Sequence, residues 1–225
     1  MQTLATPVRD DAAYPIRIHV DPALSDRNRL TVAFRPLLAI PHLLLVGGPM
    51  AAGVWWTWHS EPGATHEWSA SGGLLGAVAV GVAIFAWFAI LFTGRHPDGL
   101  WNLAAFYVRW RVRAVAYLAL LRDEYPPFGD GPYPAFVQID QPAAPRNAMS
   151  VAFRIVLIIP HLIALWFLGF GWAVATVIAW FAILFTGTFP ETLYRFGVGM
   201  LRWNIRVETY ALLLRDEYPP FSLDS

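Results

Sequence analysis

The sequence predicts an all-α membrane protein with four transmembrane helices, and three observations lead to this fold class. First, 56% of the 225 residues are hydrophobic and only 14% are charged, whereas a soluble domain has roughly 45–50% apolar and about 25% charged residues. Second, the chain contains two copies of one pattern. Third, each copy carries apolar segments long enough to cross a hydrocarbon core of roughly 30 Å at about 1.5 Å per residue.

Charge and cysteine content exclude several classes of function. Sixteen basic residues, all of them arginine, balance sixteen acidic residues, and a neutral chain lacks the basic surface that a nucleic-acid-binding protein needs. The absence of cysteine excludes thiolate metal sites, disulfides and cysteine nucleophiles. Residues 1–13 contain acids and no apolar run, so we expect no cleavable signal peptide there.

The two copies are identified by matching segments at fixed offsets. Residues 86–94 recur unchanged at 179–187, 93 positions later, and residues 121–128 recur at 214–221 with the same offset. Earlier in each copy the offset is 119, as for 32–35 and 151–154, so the copies differ by about 26 residues between the matching blocks. We therefore divide the chain into a tail (1–13), repeat 1 (14–128), a linker (129–132), repeat 2 (133–221) and a second tail (222–225).

Each repeat opens with an alternating segment and continues with two apolar segments. The alternating segments, 14–20 and 133–139, predict short strands, which we expect on the cytoplasmic side. In repeat 1 the predicted transmembrane helices are about 36–58 and 72–93, separated by a polar outer loop at 59–71. In repeat 2 the apolar run is nearly unbroken, and a turn at 169–171 would divide it into helices at about 150–168 and 172–187.

The stretches 98–121 and 191–214 predict amphipathic helices in the cytoplasmic interface. A central arginine costs about 2.5–3.5 kcal/mol on membrane insertion, and Arg109 and Arg113 lie on one stripe of the first helix, as Arg202 and Arg206 do on the second. The aromatic residues of these helices would sit at the headgroups; they are Trp101, Tyr107, Trp110 and Trp203. Gly94 and Gly187 are predicted to end the preceding helices.

Arginine placement predicts the orientation. The loops at 59–71 and 169–171 contain no arginine, so the positive-inside rule puts both termini and the 94–150 connector in the cytoplasm of a bacterium. The two repeats would then be parallel, related by an axis along the membrane normal rather than inverted as in many transporters.

The order of these motifs resembles the DUF4389 family of uncharacterised bacterial integral membrane proteins. Its most specific parts are the LFTG turn at 91–94 and the RDEYPPF segment at 122–128, each of which occurs again in repeat 2. The resemblance covers nearly the whole chain and implies a membrane location, with no activity, substrate or cofactor. Repeat 2 has Thr188 and Phe189 where repeat 1 has Arg95 and His96, so a function of those residues would belong to one repeat only.

Two histidines are candidates for a cofactor site. His42 and His161 follow a proline at equivalent positions of the two repeats. Two imidazoles facing each other across a helical bundle would ligate a b-type haem or a metal. The alternative, which we favour, is that each histidine hydrogen-bonds a backbone carbonyl freed by the preceding proline.

Other candidate residues are charged or aromatic and would bind lipid or a protein partner. Arg35 and Arg154 open the first helix of each repeat and either grip a lipid phosphate or extend to the interface without a ligand. The repeated Arg-Asp-Glu-Tyr motif supplies salt-bridged helix ends or a docking surface; its residues are Arg122, Asp123, Glu124, Tyr125, Arg215, Asp216, Glu217 and Tyr218.

These features favour a non-enzymatic accessory or scaffold subunit of the bacterial cytoplasmic membrane. It would bind phospholipid, a membrane protein or a second copy of itself through its cytoplasmic face, with no nucleic acid and, on this reading, no cofactor. One alternative is a small transporter or channel at the repeat interface. Another is a haem-binding electron-transfer subunit that uses His42 and His161.

Overall fold

The computed structural model describes residues 14–49, 54–56, 68–70, 73–143 and 145–224. The chain is mostly helical. In chain order, its elements are β1 (Arg17–Val20), α1 (Arg29–Ala33), α2 (Arg35–Leu38), α3 (Ile40–Val46), β2 (Val54–Trp56), β3 (Trp68–Ala70), α4 (Gly73–Thr93), α5 (Asp98–Leu118), β4 (Ala135–Gln138), α6 (Ala148–Ala152), α7 (Arg154–Thr186) and α8 (Glu191–Ala211). Helices α5 and α8 pack against each other in the centre, α3 and α4 pack on α5, and α7 packs on α8.

Local side-chain and glycine signals begin and end several of these helices. The Asn28 and Asn147 side chains cap α1 and α6 by accepting a hydrogen bond from the backbone N–H three residues later. The predicted glycine stops are confirmed: Gly94 and Gly187 follow α4 and α7 with φ of +69° and +75°, the left-handed conformation in which glycine ends a helix without strain.

The two repeats are related by a pseudo-twofold axis that crosses the centre of the molecule. The predicted strands are confirmed, and β1 and β4 form an antiparallel ribbon in which Ile18 pairs with Val137, its equivalent at offset 119. The same symmetry relates two exchanged contacts, in which the indole N–H of Trp87 donates to the Val151 carbonyl and that of Trp180 donates to the Val32 carbonyl, both at 2.9 Å. The repeats therefore interlock as one core.

Helices α5 and α8 run antiparallel across this axis. Trp101, near the start of α5, donates to the carbonyl of Leu214, just beyond the end of α8, at 3.3 Å. The ribbon packs its buried face against α5 through β4. The long helices α4 and α7 lie at either side of the central pair.

The predicted turn at 169–171 is wrong, because α7 is one continuous helix of 33 residues. A glycine inside a helix costs only about 1 kcal/mol relative to alanine, and the glycines here lie in a long apolar run without a polar loop. Gly169 is buried in the packed stripe of α7. Its equivalent in repeat 1, Gly76, lies where an added Cβ would come within 2.9 Å of the Tyr107 hydroxyl, so the glycine at this position serves close packing.

Repeat 1 contains the same helix interrupted by an insertion. Residues 35–46 correspond to 154–165 and residues 73–93 correspond to 166–186, so the extra residues are 47–72 and the predicted helix at 36–58 ends at Val46. A Cβ added to Gly73 would lie 2.6 Å from the Leu45 carbonyl carbon, so the ends of the insertion lie against each other. Strands β2 and β3 pair within it; most of the predicted outer loop at 59–71 falls outside the described residues.

Four transmembrane helices are not supported. Within the described parts of the chain, two helices, α4 and α7, are long and apolar enough to cross a membrane. The predicted helices at 98–121 and 191–214 exist as α5 and α8, but they form the core instead of lying at an interface. Their tryptophans and tyrosine are buried instead of reaching headgroups, because their polar atoms find partners inside the protein.

Candidate functional site: arginine clusters and two apolar grooves

Two equivalent ion clusters join the start of each repeat to its end. In repeat 1, Asp123 accepts hydrogen bonds from Arg27 at 2.6 and 2.8 Å and from Arg35 at 2.7 Å. Repeat 2 has the same arrangement of Arg146, Arg154 and Asp216. Each cluster holds two arginines and one aspartate, so each carries one excess positive charge.

These arginines also cap the ends of the central helices. Arg35 donates to the carbonyls of Tyr117 and Arg122, and Arg27 donates to that of Leu120, which satisfies acceptors that a helix end leaves free. The guanidinium of Arg35 also stacks 4.0 Å from the centre of the Tyr117 ring, and that of Arg154 lies 3.8 Å from the Tyr210 ring.

Arg35 and Arg154 therefore do not present free guanidinium groups for the predicted bidentate contact with a lipid phosphate. The two residues are only 1% and 2% exposed, and both terminal nitrogens of each have partners within the protein. In each of these two side chains, Nε is the one nitrogen that has no hydrogen-bond partner among the described residues. In the described structure, both arginines stabilise the fold through these hydrogen bonds.

We expect the Asp123 cluster to make stability depend on acid. Burial alone would raise the pKa of Asp123, but the hydrogen bonds and charge of Arg27, with those of Arg35, lower it from 3.8 to about 2. A lowered pKa stabilises the fold above pH 3.8, and this contribution, about 2 kcal/mol, is lost as the pH falls from about 4 to 2. Unfolding measured against pH should show a smaller loss over this range in Asp123→Asn than in the wild type, because the Asp216 carboxyl, whose pKa Arg146 and Arg154 lower in the same way, still contributes. Asp140→Asn, at an exposed aspartate, should show the full loss.

The remaining charged pair of each motif fastens the ribbon. Arg122 pairs with Glu124 at 2.5 Å and donates to the Asp21 carbonyl at 2.7 Å. Arg215 and Glu217 repeat the pair at 2.6 Å, and Arg215 donates to the Asp140 carbonyl. These contacts position chain segments, and of the two predicted roles they favour salt-bridged helix ends.

His42 and His161 lie in separate aromatic enclosures. Each Nδ1 accepts a hydrogen bond from a tryptophan indole, Trp110 at 3.1 Å and Trp203 at 3.2 Å, so the proton of the neutral ring is on Nε2. His42 stacks on Phe128 and His161 on Phe221. Two further ring contacts close the enclosures, from Tyr125 to His42 and from Tyr218 to His161.

All these partners belong to the same repeat as their histidine. The arrangement is typical of a structural histidine, although the bond partner is an indole and not the predicted proline-freed carbonyl. Within the described residues, no group of three or more potential metal-ligating side chains is found.

The predicted arginine stripes of α5 and α8 fold onto the segments that follow each repeat. Arg113 donates to the Gly129 carbonyl and to Asp130, and Arg109 lies 3.7 Å from the same carboxylate. Arg206 donates to the carbonyls of Ser222 and Asp224. Arg202 is half-buried beside it, and its Nε has no partner among the described residues.

A buried ion pair at the pseudo-twofold axis was missed by sequence reasoning. Arg111 of α5 donates through Nε to Glu208 of α8 at 2.7 Å and through a terminal nitrogen to the Val46 carbonyl at 2.6 Å. The Tyr107 hydroxyl donates to the other Glu208 oxygen at 2.9 Å. The repeats differ here, since the equivalents of Arg111, Glu208 and Tyr107 are Asn204, Val115 and Met200. This difference between the repeats is the sequence feature that could have indicated the ion pair.

Two apolar grooves, related by the pseudo-twofold axis, lie between the long helices. Groove 1, about 770 Å³, is lined by α2, the end of α5 and residues 172–181 of α7. Groove 2, about 660 Å³, is lined by α4, the start of α7 and the end of α8. Both volumes lie within the range of about 300–1,000 Å³ seen for small-molecule sites. Arg35 lines groove 1 and Arg154 lines groove 2.

Comparison with known proteins places the chain in a family. A family model described as "Domain of unknown function (DUF4389)" matches residues 70–129 and 148–222, which is more than half of the chain. The chain belongs to the DUF4389 family. The two matched segments of this DUF4389 protein fall in the two repeats, in agreement with the internal duplication. Searches of curated proteins and of solved structures find no match.

Proposed function

We propose that this DUF4389 protein is a non-enzymatic accessory protein that lies in the cytoplasmic leaflet of a bacterial membrane. Its long helices would lie among the acyl chains, and its ribbon and ion clusters would face the cytoplasm and a protein partner. The observation that carries the proposal is the one-sided packing of these helices. Only 28% of the most apolar stretch of α4 and 22% of that of α7 is buried, and the exposed remainder includes large apolar side chains along their length.

The length of α7 favours a helix lying along the membrane over one that crosses it. Its 33 residues extend about 50 Å at 1.5 Å per residue, against a hydrocarbon core of about 30 Å. A helix with its side chains is about 10–12 Å wide, which fits within a single leaflet of about 15 Å.

The placement of arginine supports the same orientation. The Arg154 cluster lies at the start of α7, and Arg27 donates its backbone N–H to the Gly187 carbonyl at the other end. If α7 crossed the bilayer, an arginine-rich end would lie on each side, against the positive-inside rule. With α7 in the plane of the membrane, both ends and both termini face the cytoplasm, and the pseudo-twofold axis lies along the membrane normal.

Single-cysteine labelling tests this orientation, since the natural chain has no cysteine. Arg95→Cys and Thr188→Cys place thiols at equivalent exposed positions of the two repeats. Arg95 follows the end of α4, which lies near the start of α7, whereas Thr188 follows the end of α7. Both should react with a membrane-impermeant maleimide in inside-out vesicles and neither in intact spheroplasts. Val174→Cys, on the exposed apolar face of α7, should react in neither.

Reaction of one end position from each side would overturn the proposal. The two repeats would then be inverted, as in many transporters, and the alternative of a transporter at the repeat interface would replace the accessory protein. Equal labelling of both positions in both preparations would show that the protein is not held in one leaflet, which is equally incompatible with the proposed orientation.

A further inference from the structure

We propose that each groove binds an acyl chain of an anionic phospholipid, with the phosphate beside the arginine cluster at the end of that groove. The proposal deepens the proposed function and rests on it, because the grooves would receive lipid only in a protein embedded among acyl chains. Two features of the grooves support it: the chemistry of their lining and the charge at one end.

The lining of both grooves is mostly apolar and matches a hydrocarbon chain; the Glu208 carboxylate, which also lines groove 2, is paired with Arg111. Groove 1 is lined mainly by apolar side chains of α5 and α7, of which Trp172, Trp180 and Phe181 are the bulkiest. The indole N–H of Trp180 is already bonded to the Val32 carbonyl, so this ring offers the groove an apolar face. The grooves lie between helices whose remaining exposed surface is also apolar, so an acyl chain can enter from the surrounding lipid without crossing a polar rim on that side.

The charge at one end of each groove matches an anion. Arg35 lines groove 1, and so does Leu120, whose carbonyl accepts a hydrogen bond from Arg27. The corresponding residues of groove 2 are Arg154 and Leu213, which binds Arg146. Each cluster has one positive charge more than its aspartate neutralises, and the Nε atom of each lining arginine is buried without a partner among the described residues. A phosphodiester anion complements this charge, and a zwitterionic headgroup does so less.

Groove-filling variants test the proposal without altering the clusters. Ala173 lines groove 1 and Val80, its equivalent, lines groove 2. Tryptophan at either position would occupy the space of an acyl chain. Val174→Trp is the matched control, since Val174 is exposed on the same helix turn and lines neither groove.

The measurement is native mass spectrometry of the delipidated full chain in detergent micelles after addition of dioleoylphosphatidylglycerol. We expect two bound lipids on the wild type and on Val174→Trp, one on Ala173→Trp, and none on the Ala173→Trp/Val80→Trp double variant. Dioleoylphosphatidylcholine should bind about fivefold more weakly, as expected for one interfacial charge.

Three results would overturn the proposal. The first is equal lipid occupancy of Ala173→Trp and Val174→Trp, and the second is equal binding of the two phospholipids. The third is binding of oleate without binding of phosphatidylglycerol, which would assign the grooves to free fatty acids. Because the experiment uses micelles, it does not depend on how the protein lies in a bilayer. If the lipid experiment fails while both end cysteines react only from the cytoplasmic side, the proposed orientation stands and the grooves have no assigned ligand.

Discussion

Replacing Arg111 with leucine should lower the free energy of unfolding by about 3–5 kcal/mol, because the change leaves the buried Glu208 carboxylate without its counterion. Glu208 is only 4% exposed, and after the substitution the Tyr107 hydroxyl would be the remaining partner that the described contacts assign to it. The Val46 carbonyl would also lose the hydrogen bond that Arg111 donates. We would measure unfolding of the full chain in mixed micelles by tryptophan fluorescence.

A second substitution separates the stranded charge from the loss of packing. Glu208→Val copies Val115, the residue that repeat 1 has at the equivalent position. Replacing a buried ion pair with apolar residues is often neutral or stabilising, so the Arg111→Leu/Glu208→Val variant should regain most of the lost stability. If the double variant is as unstable as Arg111→Leu, the loss comes from packing or from the Val46 carbonyl, and the ion pair is not the cause.

The pH dependence of Arg111→Leu provides an independent check. Burial raises the pKa of Glu208 above its usual 4.5, and the Arg111 charge opposes this rise. Without Arg111 the rise is larger, and a raised carboxyl pKa destabilises the fold above the unfolded value and not below it. The difference in stability between Arg111→Leu and the wild type should therefore be largest at neutral pH and should shrink as the pH falls toward 4.5.

The repeats were predictable from the sequence, but the shape of the second one was not. The change of offset from 119 to 93 has two interpretations, a loop between two helices or an insertion in one helix. Taking repeat 1 as the template predicted a hairpin in repeat 2. The insertion point corresponds to the bond between 165 and 166, and three residues separate this bond from Gly169, where the predicted turn begins. The glycines and the change of offset therefore lie at different positions.

The burial of α5 and α8 could not be predicted from periodicity alone. A stripe of arginines shows which side chains share a helix face, and Arg109 and Arg113 do share one, at Asp130. Periodicity does not show whether that face meets lipid headgroups or carbonyls and carboxylates of the same chain. Here the segments after each repeat supply those partners, through the Gly129 carbonyl and, in repeat 2, the Ser222 carbonyl.

Sequence similarity between the repeats predicted only part of the candidate site. The repeated motif drew attention to Asp123 and Asp216, and the structure places both at the centre of ion clusters. Arg27 and Arg146, which complete those clusters, lie in segments whose surrounding sequence differs between the repeats. Glu208 stood outside the repeated motifs altogether, because it is a place where the two copies differ and a search for similarity passes over it.

Phe170→Pro should destabilise the protein by about 3 kcal/mol or more, since Phe170 lies in the interior of α7. Proline there removes a backbone donor, and its ring clashes with the carbonyl four residues earlier, that of Trp166. The Phe170 side chain is 69% exposed, so Phe170→Ala should change the free energy of unfolding little. The comparison of these two variants, by unfolding in micelles, isolates the backbone from the side chain.

The same comparison decides between the continuous helix and the hairpin. A turn between two helices at 169–171 would accept proline, which favours turns by fixing its own φ angle, and Phe170→Pro would then be as stable as Phe170→Ala. A large loss in Phe170→Pro alone means that the backbone at this position is helical. Since an unbroken α7 of about 50 Å exceeds the thickness of the hydrocarbon core, that result would also remove the geometric basis for two crossings in repeat 2.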